Sequence, residues 1–240
     1  MNPKLALEYN TFSIAAHDPE SGMFGIATST KTPAVGAMCV YARAGVGAVV
    51  TQARTNPLLG IDGIDLLEKG YPAEDAISML LHLDLQPERR QLLIVDSEGH
   101  CAAHTGDESE EWRGHLCGRN HVVGGNLLVG QRTVEAMSES FTESEGSYFP
   151  GRLLLALEAG QAAGGDRRGR QSAALYVVRD TPYPYLDLRV DEHPEPVAEL
   201  RRIYGVVRKD LVPFIEALPT RGDTEGFTGE DIRGTLIPED

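Results

Sequence analysis

The order of the predicted strands and helices is the feature that most constrains the fold of this chain. Four extended segments come before any helical pattern, and they form two predicted hairpins. The first hairpin covers residues 9–29, with its turn at residues 18–22, and the second covers residues 38–52 around Ala44-Gly45. Small residues throughout these segments indicate tight packing on the sheet face. Such a start argues against the regular βαβ alternation of a doubly wound parallel sheet.

Helices and strands then follow in pairs along the rest of the chain. Apolar residues at three- and four-residue spacing predict helices over residues 58–69 and 73–83, because Gly70 is a helix stop signal and Pro72 a start signal. The later predicted elements are a hairpin (residues 91–95 and 101–105), a short strand (121–123), two helices (133–141 and 151–163), two strands (172–178 and 185–190) and a last helix (195–216). We expect Pro213 to kink or end this last helix. This order predicts an α+β fold, a four-layer αββα sandwich of two mostly antiparallel sheets covered by helices.

Length and charge bound the domain organisation and the partners. A chain of 240 residues fits one large domain. We predict a leader or propeptide at residues 1–10, a single domain at residues 11–218, and a loose acidic tail at residues 219–240. The formal net charge of -14 repels phosphate backbones and anionic lipid surfaces. We therefore expect neither nucleic acid nor a membrane as a partner.

The sequence also predicts a cytoplasmic location. No apolar run approaches the roughly 20 residues that cross a bilayer. Glu8 lies where a secretory signal would carry its apolar stretch. The three cysteines, Cys39, Cys101 and Cys117, cannot all pair, which fits reduced thiols that act as small buried apolar residues.

Four segments of the sequence, at residues 11–14, 44–53, 103–106 and 164–174, carry a resemblance to a known family. Together they resemble the domain-of-unknown-function 1028 family, which is grouped with the N-terminal-nucleophile (Ntn) hydrolases. The resemblance covers about residues 11–200, and its last segment is the most specific. It implies the αββα fold and, by this grouping, an amide-bond hydrolase. We expect a small-molecule amide as the substrate and no cofactor.

The resemblance implies that Thr11 is the nucleophile. In Ntn hydrolases the nucleophile is the first residue of the mature chain, because its free α-amine takes the proton from its own hydroxyl, often through a water. Family members commonly begin at a Thr-Phe-Ser-Ile motif, which matches residues 11–14. Since ten residues precede Thr11, we expect cleavage between Asn10 and Thr11. The alternatives are an inactive member, a different base, or an ordinary β-branched strand residue.

Three further residues are predicted to have catalytic roles. Lys31 resembles by position the lysine that lowers the pKa of the nucleophile in threonine-type proteasome subunits, although it is equally a solvated surface lysine. Asn126, after two glycines, would donate its amide to a developing oxyanion, or it is a turn residue. Asp166, in the glycine-rich segment 164–170, would orient the α-amine of the nucleophile, or it belongs to a structural Asp-Arg network.

The predicted substrate-binding residues also lie in or beside the family-like segments. Arg170 would bind a substrate carboxylate, and Ser172 would help to shape the pocket. Thr51 and Gln52 come from the second segment. His104, from the third segment, is either a general base or a hydrogen-bonded structural histidine.

Two other classes of function stay open at this stage. A non-catalytic Ntn-fold protein would bind a small ligand or serve as an assembly subunit, and apolar faces of the strands and the last helix make a homo-oligomer plausible. A metal-dependent hydrolase would use His100, Cys101, His104, His115 and Cys117. These five residues lack a close Cys-x-x-Cys or His-x-x-x-His arrangement, so we expect no metal.

Overall fold

The computed structural model describes residues 8–222 and residue 225. The strands of this part are β1 (Glu8–Tyr9), β2 (Thr11–Asp18), β3 (Met23–Thr30), β4 (Val40–Arg43), β5 (Gly47–Arg54), β6 (Arg90–Asp96), β7 (Cys101–Thr105), β8 (Gly114–Gly118), β9 (His121–Gly125), β10 (Ser172–Val178) and β11 (Leu186–Val190). Its α-helices are α1 (Val35–Met38), α2 (Pro57–Glu68), α3 (Ala73–Leu83), α4 (Arg132–Glu143), α5 (Phe149–Ala162), α6 (Pro196–Asp210) and α7 (Val212–Glu216).

The strands form two sheets, and every strand pairing within the described residues is antiparallel. In the first sheet β5 pairs with β6, β6 pairs with β7, and both β1 and β4 pair with β5. The second sheet has the order β11-β10-β3-β2-β9-β8. Thr11, at the start of β2, lies opposite Thr30 of β3, and Phe12 lies opposite Gly125 of β9. Strand β2, which begins at Thr11, therefore lies in the interior of the second sheet, between β3 and β9.

The two sheets pack face to face and carry helices on their outer faces. The core between the sheets consists of Ala15, Phe24, Ile26, Ala48, Val50, Leu93, Val95, Val122 and Val178. Helices α2 and α3 cover the first sheet, where Leu67 and Leu80 pack on Val49. Helices α4 and α5 contact the second sheet. Complete burial of a large apolar side chain contributes about 1.5–3 kcal/mol, so these layers explain the stability of the sandwich. The predicted αββα fold is confirmed.

Local signals in the sequence set the boundaries of the first helix pair. The Asn56 side chain accepts a hydrogen bond from the Leu58 amide, and Pro57 occupies the first helical turn of α2. The chain leaves this helix through Gly70, whose φ of 88° lies in the left-handed region that favours glycine. Pro72 then precedes α3. The predicted helices at residues 58–69 and 73–83 are confirmed to within one residue.

The structure departs from the sequence-based expectation at several elements. It adds the short elements β1 and α1, and it adds β8 in a stretch that the sequence analysis left without structure. The predicted last helix is interrupted at Leu211, with Pro213 in the first turn of α7. Residues 1–7 of the predicted leader and residues 223–224 and 226–240 of the predicted tail lie outside the described residues.

The contacts within the chain divide it into two units, residues 1–200 and residues 201–240. The first unit contains both sheets, and helix α6 runs across the boundary in the sequence. The predicted single domain over residues 11–218 stays a prediction. In the described part of the chain, no helix has the length and apolar character that a membrane span requires.

Candidate functional site

Thr11 is the first residue of β2, and its side chain is fully buried. Alternate residues of a strand face opposite sides. Thr11 therefore shares a face with Ser13, whose hydroxyl donates to the Gln52 Oε1 atom of the other sheet at 2.6 Å. Among the described residues, the Thr11 Oγ1 atom has no hydrogen-bond partner. Such a buried hydroxyl costs about 1–3 kcal/mol, so its presence points to a role other than stability.

The carbonyl oxygen of Asn10, in the peptide bond that precedes Thr11, accepts two side-chain hydrogen bonds. The Thr30 Oγ1 atom donates to it at 2.6 Å, and the Arg168 Nη2 atom donates at 3.1 Å. Thr30 is the residue that pairs with Thr11 across the sheet. One donor carries a positive charge, and charged donors form stronger hydrogen bonds than neutral ones. The two donors withdraw electron density from the carbonyl carbon of the Asn10–Thr11 bond.

Asp166 fixes the position of the Arg168 guanidinium. The carboxylate of Asp166 is completely buried and accepts from Arg168 Nη2 at 2.8 Å and from Arg168 Nε at 3.1 Å. It also accepts from the backbone amides of Arg168 and Lys31, both at 2.9 Å. This two-pronged contact with the guanidinium restricts its orientation. Asp166 therefore acts on the Asn10 carbonyl through Arg168.

The loop that carries Asp166 and Arg168 requires its glycines. Gly165 has a φ of 64°, and a Cβ atom there would lie 2.9 Å from the Phe12 ring. Gly169 has a φ of 115°, also in the left-handed region. The backbone of this loop also contacts the segment after β9, because Val129 donates to the Gly165 carbonyl at 3.0 Å. The glycine-rich motif thus places an arginine at the start of β2.

Asn126 binds the carbonyl of Thr11, on the other side of this residue from the Asn10 carbonyl. Its backbone amide donates to the Thr11 carbonyl oxygen at 3.1 Å, just after β9 ends. Its side-chain Nδ2 atom donates to the Gln91 Oε1 atom at 2.8 Å. The Asn126 Oδ1 atom is buried and lacks a hydrogen-bond partner in residues 8–222 and 225. The side-chain donor that was predicted to stabilise an oxyanion is therefore engaged with Gln91.

A network of buried amides and hydroxyls connects the two sheets behind Thr11. We call it the inter-sheet network, and it consists of Ser13, Thr28, Gln52, Gln91, Thr105 and Asn126. Gln52 Nε2 donates to Gln91 Oε1 at 2.7 Å, and Gln91 Nε2 donates to Thr105 Oγ1 at 2.8 Å. Gln52 Nε2 also lies 3.5 Å from the Thr11 carbonyl oxygen. The hydrogen bonds of this network connect strands of both sheets and restrict their relative arrangement.

The residues before Thr11 lie in an extended conformation along the edge of the first sheet. Glu8 pairs with Arg54 and Tyr9 pairs with Ala53. The Tyr9 side chain is 4% exposed and packs in an apolar cluster, and its hydroxyl donates to the Pro33 carbonyl at 3.0 Å. The residues before Thr11 are therefore held against β5 by backbone pairing and by the buried Tyr9 side chain.

A cavity of about 250 Å³ opens beside the Asn10–Thr11 bond. It is lined by Glu8, Asn10, Ala53, Arg54, Arg89, Glu108, Ser109 and Glu110. Ser109 is 7% exposed, and within the described part of the chain its hydroxyl has no hydrogen-bond partner. Asn10 thus lies in the wall of an open cavity, and the buried Ser109 hydroxyl lies in the same wall.

Several predicted site residues hold backbone segments. The Lys31 Nζ atom donates to the Arg170 carbonyl at 3.0 Å, and Lys31 is the first residue after β3. Arg170 itself forms an exposed ion pair with Glu195. The Ser172 hydroxyl donates to the Thr32 carbonyl at 2.6 Å. These three side chains lie around the loop and do not bond to Thr11.

Two more predicted residues lie on the first sheet and contact loops. The Thr51 hydroxyl donates to the Asn56 carbonyl at 3.2 Å, ahead of α2. The His104 Nε2 atom lies 2.9 Å from the Pro87 carbonyl oxygen. Of the predicted site residues, the structure brings Gln52, Asn126 and Asp166 to the Asn10–Thr11 bond. The catalytic and binding roles stay predictions.

Arg168, Thr30, Gln91 and Ser109 belong to this site, and the sequence analysis did not select them. Gln91 had a signal, since it is a polar residue at the start of an apolar strand. Arg168 lies in the family-like loop, but three arginines stand there within four residues and their spacing does not distinguish them. Ser109 follows a polar stretch without periodicity and carried no signal.

The histidine and cysteine set has a different arrangement. His115 Nδ1 lies 2.8 Å from the Thr105 hydroxyl, and burial together with the nearby His104 lowers the pKa of His115. Burial raises the pKa of the Cys101 thiol to about 12. Within residues 8–222 and 225, no three side chains of His, Cys, Asp or Glu come together as metal ligands would.

Comparison with known proteins gives matches over most of the chain. The profile described as "Family of unknown function (DUF1028)" matches residues 11–200. The crystal structure of the DUF1028 protein SPO2555 from Silicibacter pomeroyi is 31% identical and has a TM-score of 0.82, covering 90% of this chain and 98% of that chain. Anbu, the ancestral beta-subunit from Yersinia bercovieri, is 13% identical with a TM-score of 0.33, covering 87% of this chain and 98% of that chain. No curated protein matches the sequence.

The family profile begins at Thr11, the residue that starts β2, and it includes the loop with Asp166 and Arg168. The leader residues Glu8, Tyr9 and Asn10 lie outside the matched range. The boundary of the match thus coincides with the peptide bond whose carbonyl accepts from Thr30 and Arg168. On the profile match and the similarity to the protein of Silicibacter pomeroyi, the chain belongs to the DUF1028 family.

Proposed function

We propose that this chain is an Ntn-type hydrolase of amide bonds, and that Thr11 becomes its nucleophile when the Asn10–Thr11 peptide bond is cleaved. One observation carries the proposal. The Asn10 carbonyl accepts from Thr30 and from the Asp166-held Arg168, while the adjacent Thr11 hydroxyl is buried without a partner in the described residues. A carbonyl bound by two donors is a good electrophile, and the neighbouring unused hydroxyl is the nearest nucleophile along the chain.

Cleavage proceeds in two steps, an acyl shift and then hydrolysis of the resulting ester. The Thr11 Oγ1 atom forms a bond to the Asn10 carbonyl carbon, the amide C–N bond breaks, and the hydroxyl proton passes to the Thr11 nitrogen. The product is an ester between Asn10 and Thr11. Water then hydrolyses this ester, which releases the Asn10 carboxylate and leaves Thr11 with a free α-amine and a free hydroxyl. During both steps the Thr30 and Arg168 donors stabilise the negative charge on the oxygen.

The same groups perform turnover of a substrate amide. The Thr11 α-amine takes the proton from the hydroxyl, directly or through a water, as the hydroxyl attacks the substrate carbonyl. The leaving amine receives a proton, and water hydrolyses the acyl ester. Thr30 and Arg168 are oxyanion donors in this scheme, and Asp166 is a positioning residue. The roles predicted for Lys31, Asn126, Arg170, Ser172, Thr51, Gln52 and His104, the cytoplasmic location and the homo-oligomer rest on the sequence alone.

A non-catalytic ligand-binding or assembly protein is the second candidate. Thr11 is completely buried, and Tyr9, two residues before it, pairs with Ala53 at the edge of the first sheet. An uncut chain therefore keeps its nucleophile away from solvent, and this burial favours the second candidate as long as the leader is attached. Cleavage of the Asn10–Thr11 bond separates the two candidates.

Intact-mass measurement on protein from its own host tests the proposal. We expect a chain that begins at Thr11, and we expect Thr11→Ala to keep its leader and to lose all turnover in a screen of small amides. Thr11→Ser keeps the hydroxyl and should still cleave. Thr142→Ala, on α4, is the matched control and should cleave like the wild type. Active protein whose mass still begins at Met1 would overturn the proposal.

A further inference from the structure

We propose that the leader marks the acyl-side subsites of the enzyme, so that the substrate is an extended peptidyl amide with an aromatic side chain one residue before the scissile carbonyl and an uncharged polar side chain at it. This inference rests in part on the proposed function. Cleavage of the leader and turnover of a substrate are linked because both pass through an ester with Thr11. Cleavage forms an ester between the Asn10 carbonyl and Thr11 Oγ1, and turnover forms the same ester with the acyl group of the substrate. Groups that bind Tyr9 and Asn10 therefore bind the corresponding parts of a substrate.

The aromatic subsite is the apolar cluster around Tyr9. Val35, Cys39 and Ala174 form its walls, and each is at most 1% exposed. The Pro33 carbonyl accepts from the Tyr9 hydroxyl at 3.0 Å, which adds a polar contact at the far end of the ring. A tyrosine combines a large apolar body with one polar tip, and this subsite provides for both.

The walls of the aromatic subsite are held by contacts that do not involve the leader. The Ser172 hydroxyl accepts from the Val35 amide at 3.2 Å and donates to the Thr32 carbonyl at 2.6 Å. The Ala34 amide donates to the Asp191 carbonyl at 3.0 Å. Because β10 and the end of β11 fix this segment, the subsite keeps its shape after the leader is removed.

The edge of β5 aligns the backbone of the acyl group. Tyr9 pairs with Ala53 and Glu8 pairs with Arg54 in an antiparallel ladder. The Thr32 hydroxyl donates to the Glu8 carbonyl at 3.3 Å from the other side. Removal of the leader frees this strand edge, and an extended peptide satisfies it by adding a strand. A substrate with a peptide backbone on the acyl side fits this edge better than a compact small molecule.

The polar subsite is the cavity of about 250 Å³ beside Asn10. Side chains alternate along an extended chain, so Asn10 and Glu8 face this cavity while Tyr9 faces the aromatic subsite. Ser109 lies in its wall, and its buried hydroxyl has no hydrogen-bond partner in the described residues. Arg54 and Arg89 are balanced there by Glu108 and Glu110. The balance of charge favours an uncharged polar side chain such as an amide.

Chemical rescue on the full chain tests the aromatic subsite without any need for activity. The Thr11→Ala chain keeps its leader, and adding Tyr9→Ala to it empties the subsite. We expect millimolar p-cresol to raise the melting temperature of Tyr9→Ala in the Thr11→Ala background and to leave that of Thr11→Ala alone unchanged. Tyr71→Ala in the same background removes an exposed tyrosine and is the matched control, for which p-cresol should do nothing. Equal responses of all three proteins would overturn the subsite.

Anilides of acetylated Glu-Tyr-Asn and Glu-Ala-Asn, offered to the cleaved protein, test the substrate class. The buried aromatic ring should raise kcat/KM roughly 10- to 150-fold over the alanine peptide, and replacement of Asn by Asp should lower it. Hydrolysis of both peptides at one rate overturns the inference and leaves the proposed function in place. A protein that never cleaves its leader overturns the proposed function, and the p-cresol result then decides on the subsite alone.

Discussion

The two ends of strand β2 differ in how their polar groups are used. At the Asp18 end, a cavity of about 160 Å³ is lined by ionisable side chains that include His17, His121 and Arg152. At the Thr11 end, the Asn10 carbonyl binds Thr30 and Arg168, and the inter-sheet network behind Thr11 consists of hydroxyls and amides. The first end has the composition that is typical of a catalytic centre, and the second end has an unused hydroxyl beside a carbonyl with two donors.

At the Asp18 end, His121 and Arg152 contact neighbouring elements, although the His17 Nδ1 and Arg152 Nε atoms are also buried without a partner in the described residues. His121 Nε2 lies 2.8 Å from the Ser138 hydroxyl, and its Nδ1 atom lies 3.0 Å from the Arg119 carbonyl oxygen. Arg152 donates to the Phe141 carbonyl at 3.2 Å and lies 4.2 Å above the Phe141 ring. Both side chains therefore hold α4 and α5 against the sheet. On the proposed function, the difference is that one polarised bond with a nucleophile beside it is a stronger sign of chemistry than a concentration of ionisable groups.

Arg168→Ala, at the Thr11 end, should have the largest effect of the substitutions considered. Loss of one preorganised oxyanion donor costs about 10²- to 10³-fold in rate, so cleavage of the Asn10–Thr11 bond should slow by that factor. Time-resolved intact-mass measurement after synthesis in a cell-free system gives the rate. Asp166→Asn should slow cleavage less, because Arg168 remains but loses its charged partner.

Arg167→Gln is the matched control for Arg168→Ala, since Arg167 is exposed in the same loop. Its backbone amide, which the substitution keeps, donates to the Leu127 carbonyl at 2.9 Å. It should cleave at the wild-type rate. If Arg168→Ala also cleaves at that rate, the guanidinium has no part in activating the Asn10 carbonyl.

Arg152→Ala should have the opposite profile, with normal cleavage and a large loss of stability. The substitution removes a buried charged donor from the Phe141 carbonyl and a cation–π contact from its ring. We expect a decrease in the free energy of unfolding of about 3 kcal/mol. Urea denaturation measures the decrease, and the intact mass reports cleavage. A stable Arg152→Ala protein that fails to cleave would place part of the chemistry at the Asp18 end of β2.

The sequence predicted most of the fold because its turn and cap signals are local. Gly70 and Pro72 separate α2 from α3, and Ala44-Gly45 joins β4 to β5. Thr11 was selected through a family resemblance, since a threonine in a strand has no signal of its own. The leader strand β1 was missed because two residues carry no periodicity, and their pairing depends on Ala53 and Arg54, which lie far along the chain.

The contacts of the site could not be predicted for a physical reason. Gln52 and Gln91 are 39 residues apart, and their hydrogen bond forms because neighbouring strands of one sheet bring them together. The donation from Arg168 to the Asn10 carbonyl spans 158 residues. A single sequence identifies loops with the right composition, but the choice among three nearby arginines follows from the direction in which each side chain leaves the loop.

Acidification should destabilise the Asp18 end first. Burial lowers the pKa of His121, an effect that Arg152 strengthens, and burial also lowers the pKa of His17 against the opposing effect of Asp18. The unfolded state therefore binds these protons more readily. Stability should be constant above the ordinary histidine pKa of about 6.5. It should fall below that pH by at most about 1.4 kcal/mol per pH unit for each histidine.

Urea denaturation from pH 7.5 to pH 5 measures this pH dependence. Three histidines have a lowered pKa in the folded state, at positions 17, 115 and 121. His121→Gln removes one of them and should flatten the decrease, while His82→Gln, on the surface of α3, should leave it unchanged. A decrease of the same slope in His121→Gln would assign the acid sensitivity to other groups.

The smallest predicted effect compares one serine from each end of the strand. Ser138 at the Asp18 end bonds to His121, so Ser138→Ala leaves a buried nitrogen without a partner and should cost about 1–2 kcal/mol of unfolding free energy. Ser109 near the Thr11 end has a buried hydroxyl that bonds to nothing in the described residues, so Ser109→Ala should change stability by less than about 0.5 kcal/mol or raise it slightly. Parallel denaturation curves give both values. Equal losses in the two variants would mean that Ser109 already has a partner in solution, and its hydroxyl would then not be free to bind a substrate.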